Sequence, residues 1–283
     1  MFDRFNQIDP LWFSLGPLLF INVFGLLTVL IFAIVHRKNE SLYKVAEYEK
    51  RYHSKFLGKW FKEYWYWVTT PIEKVALALG LTPDFFTSFG FFLSCLAGYA
   101  FYEGRIGIAG WLVIFSGTCD MFDGRIARLT GKTSRAGAFY DSVMDRFGEL
   151  ATFIGLAGFY RNSWIFWFVL AGIVGSMMVS YTKARGEAMG VDCKVGSMQR
   201  PERIVYLGVG SIFSPILRYL AAPYVEVSHE YLLIIAILVI AIMTNLTAIY
   251  RMIWIMNKLR TSSAKSDQTS EKNRKRSLFF HHI

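Results

Sequence analysis

Cysteine is scarce in this chain: three residues in 283, Cys95, Cys119 and Cys193, with no metal-ligand spacing among them. That excludes a disulfide-stapled scaffold and a thiolate metal centre. Charge is scarce as well, at 18% of residues, where soluble domains carry about 25%. A soluble globular domain is therefore excluded, and so is a disordered chain, which is poor in aromatics. Acidic residues number 21 against 31 Lys and Arg, for a net charge of +10. No histidine lies in or between the acidic motifs described below, which argues against zinc. What the chain has is apolar surface: 54% of residues are hydrophobic and 17% aromatic. Several apolar runs are long enough to cross a bilayer. The fold class is an all-α, polytopic integral membrane protein, with nothing that calls for nucleic acid.

The first run, 11–35, is uncharged. A secretory apolar segment is shorter and follows a basic start, whereas Asp3, Arg4 and Asp9 precede this one. Residues 1–35 thus read as an uncleaved N-terminal transmembrane helix. Residues 36–81 are basic and aromatic, with Lys55, Lys59 and Lys62 around Trp60, Phe61, Tyr64, Trp65, Tyr66 and Trp67. That mixture suits the headgroup layer of a cytoplasmic leaflet. Within it, 70–81, with Pro71 at a helix start, is expected as an interfacial amphipathic helix. Six more helices are expected at 84–103, 108–129, 136–160, 163–185, 203–222 and 231–257, giving a core over 82–257. The basic end, 258–283, is expected to be a disordered tail. Lys and Arg concentrate in the joints 36–74, 130–135, 183–203 and 258–276, while the alternate joints hold Arg105 and Arg161. The positive-inside rule then puts the first set in the cytoplasm, the N-terminus outside and the C-terminus inside.

Two of these helices carry carboxylates, which are costly inside a membrane and signal function. Asp120 and Asp123 are three residues apart; Asp141 and Asp145 are four apart. Each pair therefore shares a helix face. The short joint 130–136 makes the helices antiparallel neighbours, so the acidic faces meet. Four carboxylates together repel unless cations sit among them, and an all-oxygen set selects a hard divalent ion, Mg²⁺ or Mn²⁺. Gly124 and Ala127 leave room for close approach, and Arg128 supplies a guanidinium suited to phosphate. The set reads as a two-metal pyrophosphate site.

These residues, Asp120-x2-Asp123-Gly124-x2-Ala127-Arg128-x8-Gly137-x3-Asp141-x3-Asp145, resemble the signature of the CDP-alcohol phosphotransferases at all eight positions. The resemblance covers roughly residues 68–257. It implies a six-helix core, to which the first span is an addition, and a homodimer. It also implies a reaction: an alcohol attacks the lipid-bearing phosphorus of a CDP-lipid such as CDP-diacylglycerol, and CMP leaves on the cytoplasmic side of the cell membrane. By resemblance Asp120, Asp123, Asp141 and Asp145 hold the ions, and Asp145 is the general base. Gly124, Ala127, Arg128 and Gly137 line the nucleotide and its diphosphate. A base is useful because a hydroxyl's pKa lies far above neutrality.

The acceptor is read from Ser180-Tyr181-Thr182-Lys183-Ala184-Arg185-Gly186-Glu187, from Arg200-Pro201-Glu202-Arg203, and from Arg251 in the last helix. These runs resemble the branch of the family that makes phosphatidylinositol phosphate. By that resemblance Ser180, Lys183, Arg203 and Arg251 bind the acceptor's phosphate. Three cations suit a doubly charged phosphate and favour a phosphorylated polyol, inositol phosphate, over an uncharged alcohol. Glycerol 3-phosphate carries the same handle and stays open as an acceptor. From a different class, a transporter with buried carboxylates would need charges but not the spaced Gly, Ala and Arg.

Overall fold

A computed structural model describes residues 11–38, 59–193, 195–222 and 230–280. The basic run 39–58, the joint 223–229 and the end 281–283 lie outside them, as do the side chains of 35–38, 59–66, 68–69 and 262–280.

Eight helices make up the described chain: α1 (Trp12–Lys38), α2 (Lys59–Ala78), α3 (Pro83–Tyr102), α4 (Ile106–Leu129), α5 (Arg135–Phe159), α6 (Ile165–Ala188), α7 (Arg200–Ala221) and α8 (Tyr231–Phe280). Each of α1, α3, α4, α6, α7 and α8 is long and apolar enough to span a bilayer. The 25-residue α5 is long enough but not apolar enough, because Arg135, Asp141, Asp145 and Arg146 occupy its first half.

Local signals set the helix ends. Thr82 caps α3 by accepting from the Phe85 N–H at 3.2 Å, with Pro83 in the first turn. Ser134 caps α5 by accepting from the Gly137 N–H at 2.9 Å. Gly131, at φ 66°, closes α4, and the Lys132 N–H returns to the Ala127 carbonyl at 2.9 Å. The five-residue joint 130–134 therefore turns the chain back, but α4 and α5, expected as packed neighbours, each pack on α3 rather than broadly on each other.

Helix α3 is the axis of the site half. It packs on both α4 and α5. Its stripe Gly90, Ser94 and Gly98 lets backbones touch: a Cβ on Gly98 would stand 2.3 Å from the Ala151 carbonyl oxygen, and one on Gly155 would stand 1.8 Å from that of Gly98. Small residues of this kind govern packing where water supplies no driving force. Helices α4 and α7 also pack together, as do α6 and α8 and α7 and α8. Phe101, Leu156, Val169, Leu233, Ile237 and Ile240 fill the shared core. Helix α1 leans on α4 and α7 but leaves most of its surface outward, with Leu19, Phe20, Leu26 and Ile34 exposed.

Three expectations are corrected. Helix α2 begins at Lys59 rather than at 70, and Pro71 lies inside it. No glycine or proline interrupts 59–70, so the aromatic run stays helical up to and through Pro71. Helix α7 begins at Arg200, three residues earlier than expected, since Pro201 and Glu202 are good first-turn residues. Helix α8 runs unbroken to Phe280, where a disordered tail was expected from 258. Residues 258–280 contain neither Gly nor Pro and hold seven Lys and Arg, which are compatible with a helix.

Candidate active site

Helix α4 delivers its acids in its second half and α5 in its first, so the closed joint brings them to one depth. Asp120, Asp141 and Asp145 each place a carboxylate oxygen within 4.8 Å of the other two. Asp123 stands beside this trio: it is 6% exposed, and its Oδ2 accepts from Thr87 Oγ1 of α3 at 2.8 Å. The charges of Asp120 and Asp141 still act on it.

Nothing in this set is a soft ligand. Asp141 Oδ1 is buried and has no hydrogen-bond donor, a costly state for an anionic oxygen unless a cation meets it. An all-oxygen set with one orphaned acceptor fits a hard divalent ion. One cation of the chain already reaches the trio. Arg200, the first residue of α7, places Nη1 2.8 Å from Asp120 Oδ2 and 2.8 Å from Asp145 Oδ1.

The expected nucleotide residues follow Asp120 along its stripe of α4. Arg128 is exposed and folds back over Gly124, where a Cβ would stand 3.2 Å from Arg128 Nη1. Ala127 is half-buried beside it. Gly137 opens α5 next to Asp84, whose Oδ1 would lie 3.9 Å from an added Cβ. Larger residues at Gly124 and Gly137 would fill this wall.

The four expected acceptor residues do not form one open cluster of cations. Lys183 is exposed, with Glu187 at 3.9 Å, and Ser180 is half-buried on the same helix. Arg203 is 3% exposed and locked to Glu149 of α5 by Nε–Oε1 at 2.5 Å and Nη2–Oε2 at 2.9 Å. Its Nη1 donates to the Met198 carbonyl at 3.2 Å. Arg251, equally buried, donates to the carbonyls of Val195 and Val179 at 2.7 and 2.8 Å. A guanidinium deep among helices must be neutralised or hydrogen-bonded. Here the two arginines meet that need by clamping the segment just ahead of Arg200.

Two small cavities share Ser94, Ser116 and Arg200, and the first of them borders the trio. One, of about 10 Å³, reaches Thr87, Asp120, Asp123 and Asp145. The other, of about 30 Å³, reaches Thr152, Glu149 and Arg203. Ser94 and Ser116 are hydrogen-bonded hydroxyl to hydroxyl at 2.7 Å.

Sequence reasoning missed Arg200, Thr87 and Glu149. Glu149 was within reach, because it follows Asp145 by four residues on the same face. Arg200 stood in a quoted motif without a role, and Thr87 gave no signal. Also missed was the ion pair from Arg125 Nη2 to Glu73 Oε1, 2.6 Å, which ties α2 to α4 beside the acids.

Residues 80–257 match the family described as CDP-alcohol phosphatidyltransferase. The chain belongs to the CDP-alcohol phosphatidyltransferase family. It is 30% identical to the archaetidylinositol phosphate synthase of Methanothermobacter thermautotrophicus over 67% of this chain and 90% of that one. It is 33% identical to the phosphatidylinositol phosphate synthase of Streptomyces avermitilis over 75% of this chain and 85% of that one. Two crystal structures of the phosphatidylinositol phosphate synthase of Mycobacterium tuberculosis share its fold. The complex with manganese and citrate aligns with TM-score 0.59 at 30% identity, over 66% of this chain and 88% of that one. The complex with CDP-DAG aligns with TM-score 0.57 at 29% identity, over 66% and 93%. The chain is thus a membrane-embedded CDP-alcohol phosphatidyltransferase, and α1 and the described part of α2 precede the family segment.

Proposed function

We propose that this phosphatidyltransferase moves the phosphatidyl group of a CDP-lipid to inositol phosphate and releases CMP. The observation that carries the reading is the convergence of Asp120, Asp141 and Asp145 from α4 and α5, with Asp123 alongside. The names of the two relatives, an archaetidylinositol phosphate synthase and a phosphatidylinositol phosphate synthase, support the acceptor.

In this reading Asp120, Asp123, Asp141 and Asp145 hold the divalent ions, Mg²⁺ or Mn²⁺. When bound, such ions supply charge that polarises the diphosphate and stabilises the departing CMP oxygen. Arg128 and the open backbone at Gly124, Ala127 and Gly137 receive the nucleotide and its diphosphate. Asp145 takes the proton of the attacking hydroxyl. Lys183 and Ser180 meet the acceptor's phosphate from α6, while Arg203 and Arg251 frame that side from within. Placed at the membrane boundary, the site lets acyl chains stay in lipid while the headgroups react. The clustered Lys and Arg put this boundary at the cytoplasmic face.

Purified chain is incubated with CDP-diacylglycerol, Mg²⁺ or Mn²⁺, and labelled inositol phosphate. The expected result is equimolar CMP and labelled lipid, both lost on chelation. Consumption of glycerol 3-phosphate but not inositol phosphate sinks the acceptor assignment. No CMP with any alcohol sinks the transferase reading and favours a transporter.

A further inference from the structure

Arg200 is placed to do two things, and it cannot do both at once. Its Nη1 bridges Asp120 and Asp145 at 2.8 Å each, the same carboxylates that offer ligand atoms to an ion. Arg200 also lines the larger cavity, beside the hydroxyls of Ser94, Ser116 and Thr152 and four apolar side chains. The other two charged residues of that cavity, Glu149 and Arg203, are already paired to each other in a two-bond fork. Arg200 is therefore the cation of this cavity whose partners a divalent ion would take. The backbone beneath it is fixed. Pro201 follows at the start of α7, and Arg203 and Arg251 hold the carbonyls of Met198 and Val195 just upstream. Only the flexible side chain needs to move.

We propose that Arg200 is an internal counter-cation, which stabilises the acid trio until divalent ions displace it and then turns to the phosphate of the acceptor. This rests on the transferase reading and assigns Arg200 as an acceptor-binding residue within it. Ion binding breaks two charge-assisted contacts and puts a freed guanidinium at the edge of the second cavity. An acceptor phosphate arriving on the side that Arg203 frames finds this further cation only when the ions are in place. Metal and acceptor phosphate thus bind with positive coupling, which is reciprocal.

The test uses the full chain in detergent with Mn²⁺ as probe, comparing native protein with Arg200→Gln and Arg200→Lys. Removing the rival cation should tighten Mn²⁺ binding by on the order of tenfold or more, the scale of one lost charge-assisted contact. Lys, a point charge without the fork, should fall between. Thermal midpoints give the second readout: Arg200→Gln should be less stable than native without Mn²⁺ and equal to it at saturation. Inositol phosphate should bind native protein only with Mn²⁺, and Arg200→Gln should lose that dependence. Unchanged or weaker Mn²⁺ binding in Arg200→Gln overturns the proposal. So does a stability loss that persists at saturating Mn²⁺, which marks a structural prop. The Mn²⁺ comparison involves no lipid or alcohol, so absence of transferase activity leaves it standing. Metal-dependent binding of glycerol 3-phosphate alone supports the exchange while sinking the inositol assignment.

Discussion

At the scale of single residues, the site divides into groups that react and groups that hold. Asp145 belongs to the first. Asp145→Asn keeps shape and loses the base, so kcat should fall by about 10²–10⁴ while nucleotide affinity is largely kept. A near-native rate of CMP release would end the assignment. Arg203 belongs to the second. Arg203→Ala strands Glu149 in a buried setting, and breaking such a pair costs about 3–5 kcal/mol. A large drop in thermal midpoint is expected, before any change in KM can be read. Lys183→Ala should do the opposite: the side chain is half exposed, so stability holds and the acceptor KM rises. An unchanged KM would return Lys183 to ordinary positive-inside charge. The acids were legible in the sequence because both members of each pair sit on one helix at contact spacing. Arg200, Thr87 and Glu149 were not assigned because their partners lie on other helices, and spacing along the chain carries no information about pairing across it.

At the scale of elements, apolar runs and breaker residues located every helix, and errors fell where those signals weaken. The start of α2 was misjudged because a proline reads equally as a first-turn residue or as an interior one. The end of α8 was misjudged because polar residues without Gly or Pro suit either a tail or a helix. The register of α3 on α5 was not legible at all. It depends on Gly98 and Gly155 meeting backbone to backbone, and the sequence shows only scattered glycines. Gly155→Val has no room beside the Gly98 carbonyl and should separate the two helices. Expression of folded protein, followed by size-exclusion chromatography in detergent, should show aggregation or a steep loss of yield. Normal yield and activity would mean that α3 and α5 are not in this contact.

At the scale of the whole molecule, the family segment 80–257 carries the acids and the larger buried core, and α1 lies along α4 and α7 with most of its surface turned outward. Removal of residues 1–38 should therefore preserve CMP release within an order of magnitude. The vulnerable contacts are Phe32 on Trp67, at 5.7 Å between ring centroids, and Ser14 against Gly107. Complete loss of activity would show that α1 is part of the working core. Sidedness is testable with single cysteines at Lys132 and Arg161. A membrane-impermeant maleimide applied to intact cells should label Arg161→Cys and spare Lys132→Cys, and the reverse pattern would invert the topology.

The polar first half of α5 has a last consequence, for how the protein is made. Ionisable residues at the middle of a nascent segment each oppose its passage into lipid by about 2.5–3.5 kcal/mol, and α5 carries four in its first half. Alone, it is a poor candidate for release from the insertion machinery. Following α4 through the tight turn at Gly131, and received with it by the glycine face of α3, its acids meet partners rather than lipid. The catalytic centre is then assembled during synthesis, in the order in which these three helices emerge from the ribosome.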